Sequence, residues 1–137
     1  MIKFTRVIIM KLIVCLDDNK GMMFNKRRQS RDRVLIENVV ELCKGEKLYI
    51  NEYSLTLFPE NAVEIFESIE DIENAYCFAE NFTVNEECVD EIIVYKWNRL
   101  YPADTYFNID FENWDLTETV DFEGSSHEKI TREIYRR

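Results

Sequence analysis

Glycine and proline are scarce in this chain, three and two among 137 residues. That leaves little room for flexible linkers, or for a glycine-rich loop that brings backbone amides up to a phosphate. Histidine is scarcer still, since His127 stands alone. Four cysteines (Cys15, Cys43, Cys77 and Cys88) show no C-x-x-C spacing, so a zinc ion finds no ordinary ligand set. Cys15 and Cys77 sit inside apolar runs and read as small core residues of a reduced, cytosolic chain. Long apolar runs are missing too. The opening MIKFTRVIIMKLIVCLDD is interrupted by Lys11 and followed by no small-residue cleavage site. It also falls short of the ~20 residues that span a bilayer. Met10 reads as the natural start, with residues 1–9 an upstream extension and residues 10–137 a single α/β domain.

Positive charge is absent from the middle of the chain. Residues 48–95 contain no Lys or Arg and twelve acids, from Glu52 to Glu91. The net charge of −10 argues against a nucleic-acid or anionic-membrane binder. The cations gather instead in residues 20–33, as Lys20, Lys26, Arg27, Arg28, Arg31 and Arg33. Two readings are open. The basic and acidic segments pair with each other and with water, or the basic segment is an anion site in an acidic protein.

What is present suffices for a core: 46% of residues are apolar and 13% aromatic, too many for disorder. Lys11–Leu16 predicts a strand buried on both faces, ending in the turn cluster Asp17-Asp18-Asn19-Lys20-Gly21. Met22–Gln29 has no clean period and reads as a loop. Ser30 suits an N-cap, with Asp32 in the first turn of a helix whose stripe runs Leu35, Ile36, Val39, Val40, Leu42 and Cys43. Lys44-Gly45 ends it. Lys47–Ile50 predicts a second strand, Tyr53–Phe58 a short helix, and Ala62–Ile72 an amphipathic helix with an acidic outer face. Ala75–Ala79 and the β-prone Val89–Trp97 predict two further strands, and Tyr106–Phe111 and Thr117–Phe122 two short ones. The tail SSHEKITREIYRR fits either a helix opened by a Ser125-x-x-Glu128 capping box or a closing edge strand. The alternation predicts an α/β fold with a mostly parallel central sheet and flanking helices.

Three stretches, LIVCLDDNKGMM, SRDRVLIENVVELCKGEKLYI and DEIIVYKWNRLYPADTYFNIDFENWDL, resemble in order the dihydrofolate reductase family, and the tail suits that family's last strand. The resemblance covers well over half the chain and implies a pared-down reductase fold. It also exposes departures. Where the family has a Gly-Arg-Lys/Arg-Thr step for the cofactor phosphate, this chain reads Asn51-Glu52-Tyr53-Ser54. Where the family has a Gly-Gly turn against the pyrophosphate, it reads Ala79-Glu80-Asn81. Side chains keep backbone amides from a pyrophosphate and a carboxylate repels it, so no nicotinamide cofactor is expected. Asp32 falls where the family's substrate-binding carboxylate would be. Two stretches, MKLIVCLDDNKGMMFNKRRQSRDR and YPADTYF with GSSHEKIT, also look like short bacterial proteins labelled ribonuclease Z. That enzyme's two zinc ions need an H-x-H-x-D-H cluster and further histidines, and one histidine cannot supply them.

The candidate site is Lys26, Arg27, Arg28, Arg31 and Asp32, where guanidinium forks meet a helix N-terminus after the first strand. Asp17 can add a contact to ribose hydroxyls or a cation, or serve only its turn. Trp97, Asn98, Arg99 and Tyr101 offer an aromatic face with a cation, or simple packing. His127 has no acid at a diagnostic spacing and reads as a surface or capping residue. Three functions follow as expectations. The first is a non-catalytic module holding a small phosphorylated or nucleotide-like ligand at residues 26–33. The second is an acidic interaction protein of phage or mobile-element type engaging a basic partner. The third is a residual reductase-like or ribonuclease-labelled enzyme, with Asp32 handling a proton.

Overall fold

The computed structural model describes residues 9–137. The expected upstream extension, residues 1–9, lies outside the described residues except for Ile9, whose carbonyl accepts from the Asn74 N–H at 2.9 Å.

The first strand, β1 (Met10–Leu16), runs down the middle of the molecule. Its central place explains why its apolar residues do not alternate with polar ones. Leu12, Val14 and Leu16 enter one core while Ile13 enters the other. Next come β2 (Gly21–Phe24) and β3 (Arg27–Arg28), where a loop was expected. They form an antiparallel hairpin whose turn residues Asn25 and Lys26 have φ of 50° and 61°. A two-residue turn of the I′ type needs positive φ at both positions, usually signalled by Asn-Gly. With lysine in the second place the signal is hidden.

The helix α1 (Arg33–Leu42) follows. Its N-cap is Asp32, two residues later than the expected Ser30, because the Asp32 carboxylate takes the Leu35 N–H at 3.1 Å. Leu35 and Val39 are fully buried against the sheet, each worth about 1.5–3 kcal/mol. Past the end of α1, Gly45 adopts φ 88°.

Then come β4 (Leu48–Ile50), β5 (Glu64–Ile65), β6 (Tyr76–Phe78), β7 (Val89–Lys96), β8 (Thr105–Tyr106), β9 (Asp115–Phe122) and β10 (Ile130–Arg136). The main sheet has the order β5-β4-β6-β1-β7-β10-β9. From β5 to β7 every pairing is parallel, and β10 and β9 are antiparallel, as a mostly parallel α/β sheet requires. The register sets Ile13 beside Phe78 on one side and Ile93 on the other. Strands β2, β3 and β8 make a small separate sheet.

Helical cover is thinner than the alternation suggested. Among the described residues α1 is the one α-helix, and it shields the face carrying Ile13, Phe78, Ile93 and Tyr95. The opposite face is closed by loop residues, including Ile72, Phe107, Ile109 and Trp114. The expected helix at Ala62–Ile72 is not formed. Its residues give a 3-10 turn ending at Ala62, the parallel strand β5 and another 3-10 turn at Ile69–Asp71. Val63, Phe66 and Ile69 at spacing three supply too narrow a stripe for a helix, and the Phe66 N–H pairs with the Ile50 carbonyl at the sheet edge instead. Residues 53–58 do turn helically, as a 3-10 segment Glu52–Leu57. Tyr106–Phe111 contributes only Tyr106 to a strand, and the tail resolves as β10. No helix among the described residues is long and apolar enough to cross a membrane.

Candidate functional site

The carboxyl ends of β1, β6 and β7 meet the N-terminus of α1, the edge at which open α/β sheets place ligands. Asp17, just past β1, is buried, with one oxygen held by its own turn and the other by two distant groups. One oxygen accepts the N–H groups of Asn19 (2.8 Å) and Gly21 (2.7 Å). The other takes the Gln29 amide (2.9 Å) and the Tyr101 N–H (3.3 Å). The turn accounts for Oδ1, while Oδ2 ties the turn to Gln29 and Tyr101.

Asp32 is also buried, and it is the hub of the site. Beyond capping α1, it accepts the N–H of Ser125 at 2.9 Å, the N–H of Ser126 at 2.8 Å and both serine hydroxyls. His127 Nδ1 lies 3.0 Å from Oδ2. Burial alone would raise the Asp32 pKa. The hydrogen bonds from Ser125, Ser126, His127 and Leu35 outweigh it and hold the carboxyl well below the usual carboxylate range. A group so firmly ionised is a poor proton handler. The loop between β9 and β10 is therefore latched onto the helix start, and Gly124 permits the approach: a Cβ there would lie 2.4 Å from Asp32 Oδ2 and 2.8 Å from the Ile130 side chain.

Arg28 forms a fork with Glu80, from the turn after β6. Nε and Nη2 donate to the two carboxylate oxygens at 2.8 and 3.1 Å. Ser54 Oγ donates to the same carboxylate at 2.7 Å, and the guanidinium lies 4.7 Å from the centre of the Tyr53 ring. Glu80 is only 8% exposed. The hydrogen-bonded Glu80 carboxylate, with burial opposing it, raises the Arg28 pKa further. Here the basic segment does pair with the acidic one.

Between these clusters lies a narrow cleft of about 20 Å³, room for about a single water. Leu35, Ile36, Leu57 and Phe78 make its apolar walls, while Arg28, Gln29, Ser30, Arg31 and Asp32 line the polar side. Cys15 also reaches it, with its thiol raised well above the ordinary value by burial and by Glu80, and so kept protonated. A wider groove of about 400 Å³ shares Arg31, Asp32, Ile36 and Leu57 and adds Arg33, Glu37 and Pro59. Of the expected site residues, Arg28, Arg31 and Asp32 thus meet at one cleft. Lys26 and Arg27 sit on the exposed β2–β3 hairpin and line neither this cleft nor the groove, and Asp17 lies beneath it. Arg31 is exposed and has no ion-pair partner among the described residues. No group of three or more His, Cys, Asp or Glu able to hold a metal occurs among those residues.

No family model matches the chain, and no curated protein does. Among solved structures it is similar to dihydrofolate reductase from Enterococcus faecalis complexed with NADP(H) and RAB-propyl. That match has a TM-score of 0.67 and 13% identity, covering 94% of this chain and 96% of the other. The fold is dihydrofolate reductase-like. The neighbour is described as holding NADP(H), and the reductase-like fold here can be tested for that cofactor. The two segments that depart from the family motif are joined by side chains: Ser54 to Glu80, and the Asn51 amide to the Asn81 carbonyl oxygen at 2.7 Å. A buried carboxylate and interlocked side chains stand where a pyrophosphate needs bare N–H groups. The residues do not fit the dinucleotide.

Sequence reading missed His127. It is 4% exposed, stacked on Trp97 with ring centres 4.6 Å apart, and bound at Nε2 by Tyr101 Oη (2.9 Å) and Ser30 Oγ (3.1 Å). Its acid, Asp32, is 95 residues away in sequence. Nothing local announces that pairing, and a surface role is ruled out by the burial.

Proposed function

We propose that this reductase-like fold is a binding module for a small nucleotide-like ligand, seated in the outer groove beside α1 with its anionic end at Arg31. The observation that carries the reading is the groove's asymmetry: the apolar side chains of Ile36, Leu57 and Pro59 on one hand and, on the other, the exposed Arg31 guanidinium not committed to an acid. Arg33 lines the same groove but is paired to Glu37 at 2.7 Å. Inside, the buried Gln29 Oε1 has no hydrogen-bond partner. Its amide orientation is fixed, because Nε2 faces two acceptors, the Asp17 carboxylate and the Pro102 carbonyl. In the narrow inner cleft that oxygen offers an acceptor to a single water. A flat apolar body carrying a phosphate is what the outer groove selects.

Compared with the sequence expectation, the anion contact narrows from the whole basic segment to Arg31, since Glu80 holds Arg28 and the hairpin carries Lys26 and Arg27 away. The test is a thermal-shift series with the four common nucleoside monophosphates, their nucleosides and inorganic phosphate. A ligand at 100-fold over its Kd stabilises by about 2.7 kcal/mol, which raises the Tm of a chain this size by about 9 °C. At least one monophosphate is expected to do so, its nucleoside less, and Arg31→Ala to remove the difference between them. No shift from any monophosphate, or a shift indifferent to Arg31→Ala, refutes the reading.

A further inference from the structure

His127 is a buried imidazole with a carboxylate at one nitrogen and hydroxyls at the other. The carboxylate of Asp32 can only accept, so in the neutral ring Nδ1 carries the proton and Nε2 presents its lone pair. Two hydroxyls face that lone pair, Ser30 at 3.1 Å and Tyr101 at 2.9 Å. Only Ser30 lines the cleft. We infer that Ser30, His127 and Asp32 form a nucleophile, base and positioning carboxylate for acyl transfer from a small carboxylic ester presented at the cleft mouth, where Ser30 is only half-buried. The inference stands on this hydrogen-bonded chain and is independent of the nucleotide reading.

The parts meet the geometric demands of such chemistry. The nucleophile–base and base–carboxylate distances are within hydrogen-bond reach. Asp32 is fixed by five further groups, the N–H groups of Leu35, Ser125 and Ser126 and the two serine hydroxyls, so it positions the ring without taking its proton. Trp97 holds the imidazole from one face. The Arg28 guanidinium lines the same cleft with its Nε and Nη2 committed to Glu80. In the reaction Ser30 Oγ bonds to the ester carbonyl carbon while its proton passes to His127 Nε2. The carbonyl re-forms as the bond to the leaving alcohol breaks, and the alcohol takes that proton. Water then attacks the Ser30 ester through the same base, releasing the acid and restoring the serine. One ester and one water give one acid and one alcohol.

The experiment is labelling of the full chain with an alkyl fluorophosphonate, followed by intact mass and peptide mapping. Oγ displaces fluoride from phosphorus, so one adduct is expected, on Ser30. Ser30→Ala abolishes it. Loss of a general base costs 100-fold or more, so His127→Gln slows labelling by at least about 100-fold. Tyr101→Phe, which leaves Ser30 as the sole hydroxyl at Nε2, keeps the reaction. Circular dichroism and Tm confirm that each variant is folded. If His127→Gln unfolds, the Ser30→Ala and Tyr101→Phe pair decides alone. No adduct on Ser30, an adduct elsewhere, or abolition by Tyr101→Phe overturns the inference, whether or not nucleotides raise the Tm.

Discussion

Replacing Asp32 with alanine removes three sets of bonds at once. The cap on the Leu35 N–H goes, worth about 1 kcal/mol in comparable helices. The N–H groups of Ser125 and Ser126 lose their acceptor in a partly buried loop, at about 1–3 kcal/mol for each donor left unsatisfied. His127 loses the acceptor for Nδ1 in a place water scarcely reaches. The sum is about 4 kcal/mol, a cost that single substitutions seldom reach. Asp32→Asn is milder, about 2 kcal/mol, because asparagine caps as well as aspartate but sets an N–H₂ against one of the donors. Urea unfolding of the three proteins measures both. Their pH dependence supplies the sign. The folded carboxyl titrates below its unfolded value, so on acidification the unfolded chain binds its proton first. The Asp32 contribution is then fully present above the ordinary carboxyl pKa of about 4 and is lost as pH falls towards the lower folded value. The gap between native and Asp32→Asn proteins should close on the same path. Asp32→Ala within 0.5 kcal/mol of native, roughly the scatter of neutral surface changes, would refute the hub. So would a native–Asn gap that stays constant down to pH 2.

Two other substitutions probe the same latch and its neighbour. Gly124→Ala places a methyl 2.4 Å from Asp32 Oδ2 and 2.9 Å from its carboxyl carbon, so it should lower stability by about 1–3 kcal/mol and expose the Ser125 and Ser126 amides to hydrogen exchange. Arg28→Ala strands the Glu80 carboxylate at 8% exposure and should cost about 3–5 kcal/mol, whereas adding Glu80→Gln recovers part of the loss. A double variant no more stable than Arg28→Ala alone contradicts the pairing.

Much of the fold is legible in the sequence because its central strands are uniformly apolar. Ile13, Ile93 and Phe78 are buried from both faces, and such runs between turn residues can hardly be read otherwise. The helix α1 shows its stripe for the same reason. The failures are equally physical. An alternating acidic pattern at Ala62–Ile72 looks helical, yet the pairing of β5 with β4 takes the segment into the sheet. The β2–β3 hairpin turns on Asn25-Lys26, where the usual glycine is replaced by a lysine at positive φ. At the site, a charge count locates the basic segment but not its commitments. Arg28 finds Glu80 52 residues on, and Asp32 finds His127 across the β9–β10 loop. Long-range pairs of this kind leave no spacing to read. The departures at Asn51-Glu52-Tyr53-Ser54 and Ala79-Glu80-Asn81 were visible beforehand, and the structure adds that their side chains bind one another.

Calorimetric titration with NADPH and with a nucleoside monophosphate, side by side, addresses the account at its centre. The mononucleotide should bind one per chain and lose most of its heat in Arg31→Ala, while NADPH gives none beyond dilution. Saturable one-to-one binding of NADPH, undiminished in Arg31→Ala, would contradict it.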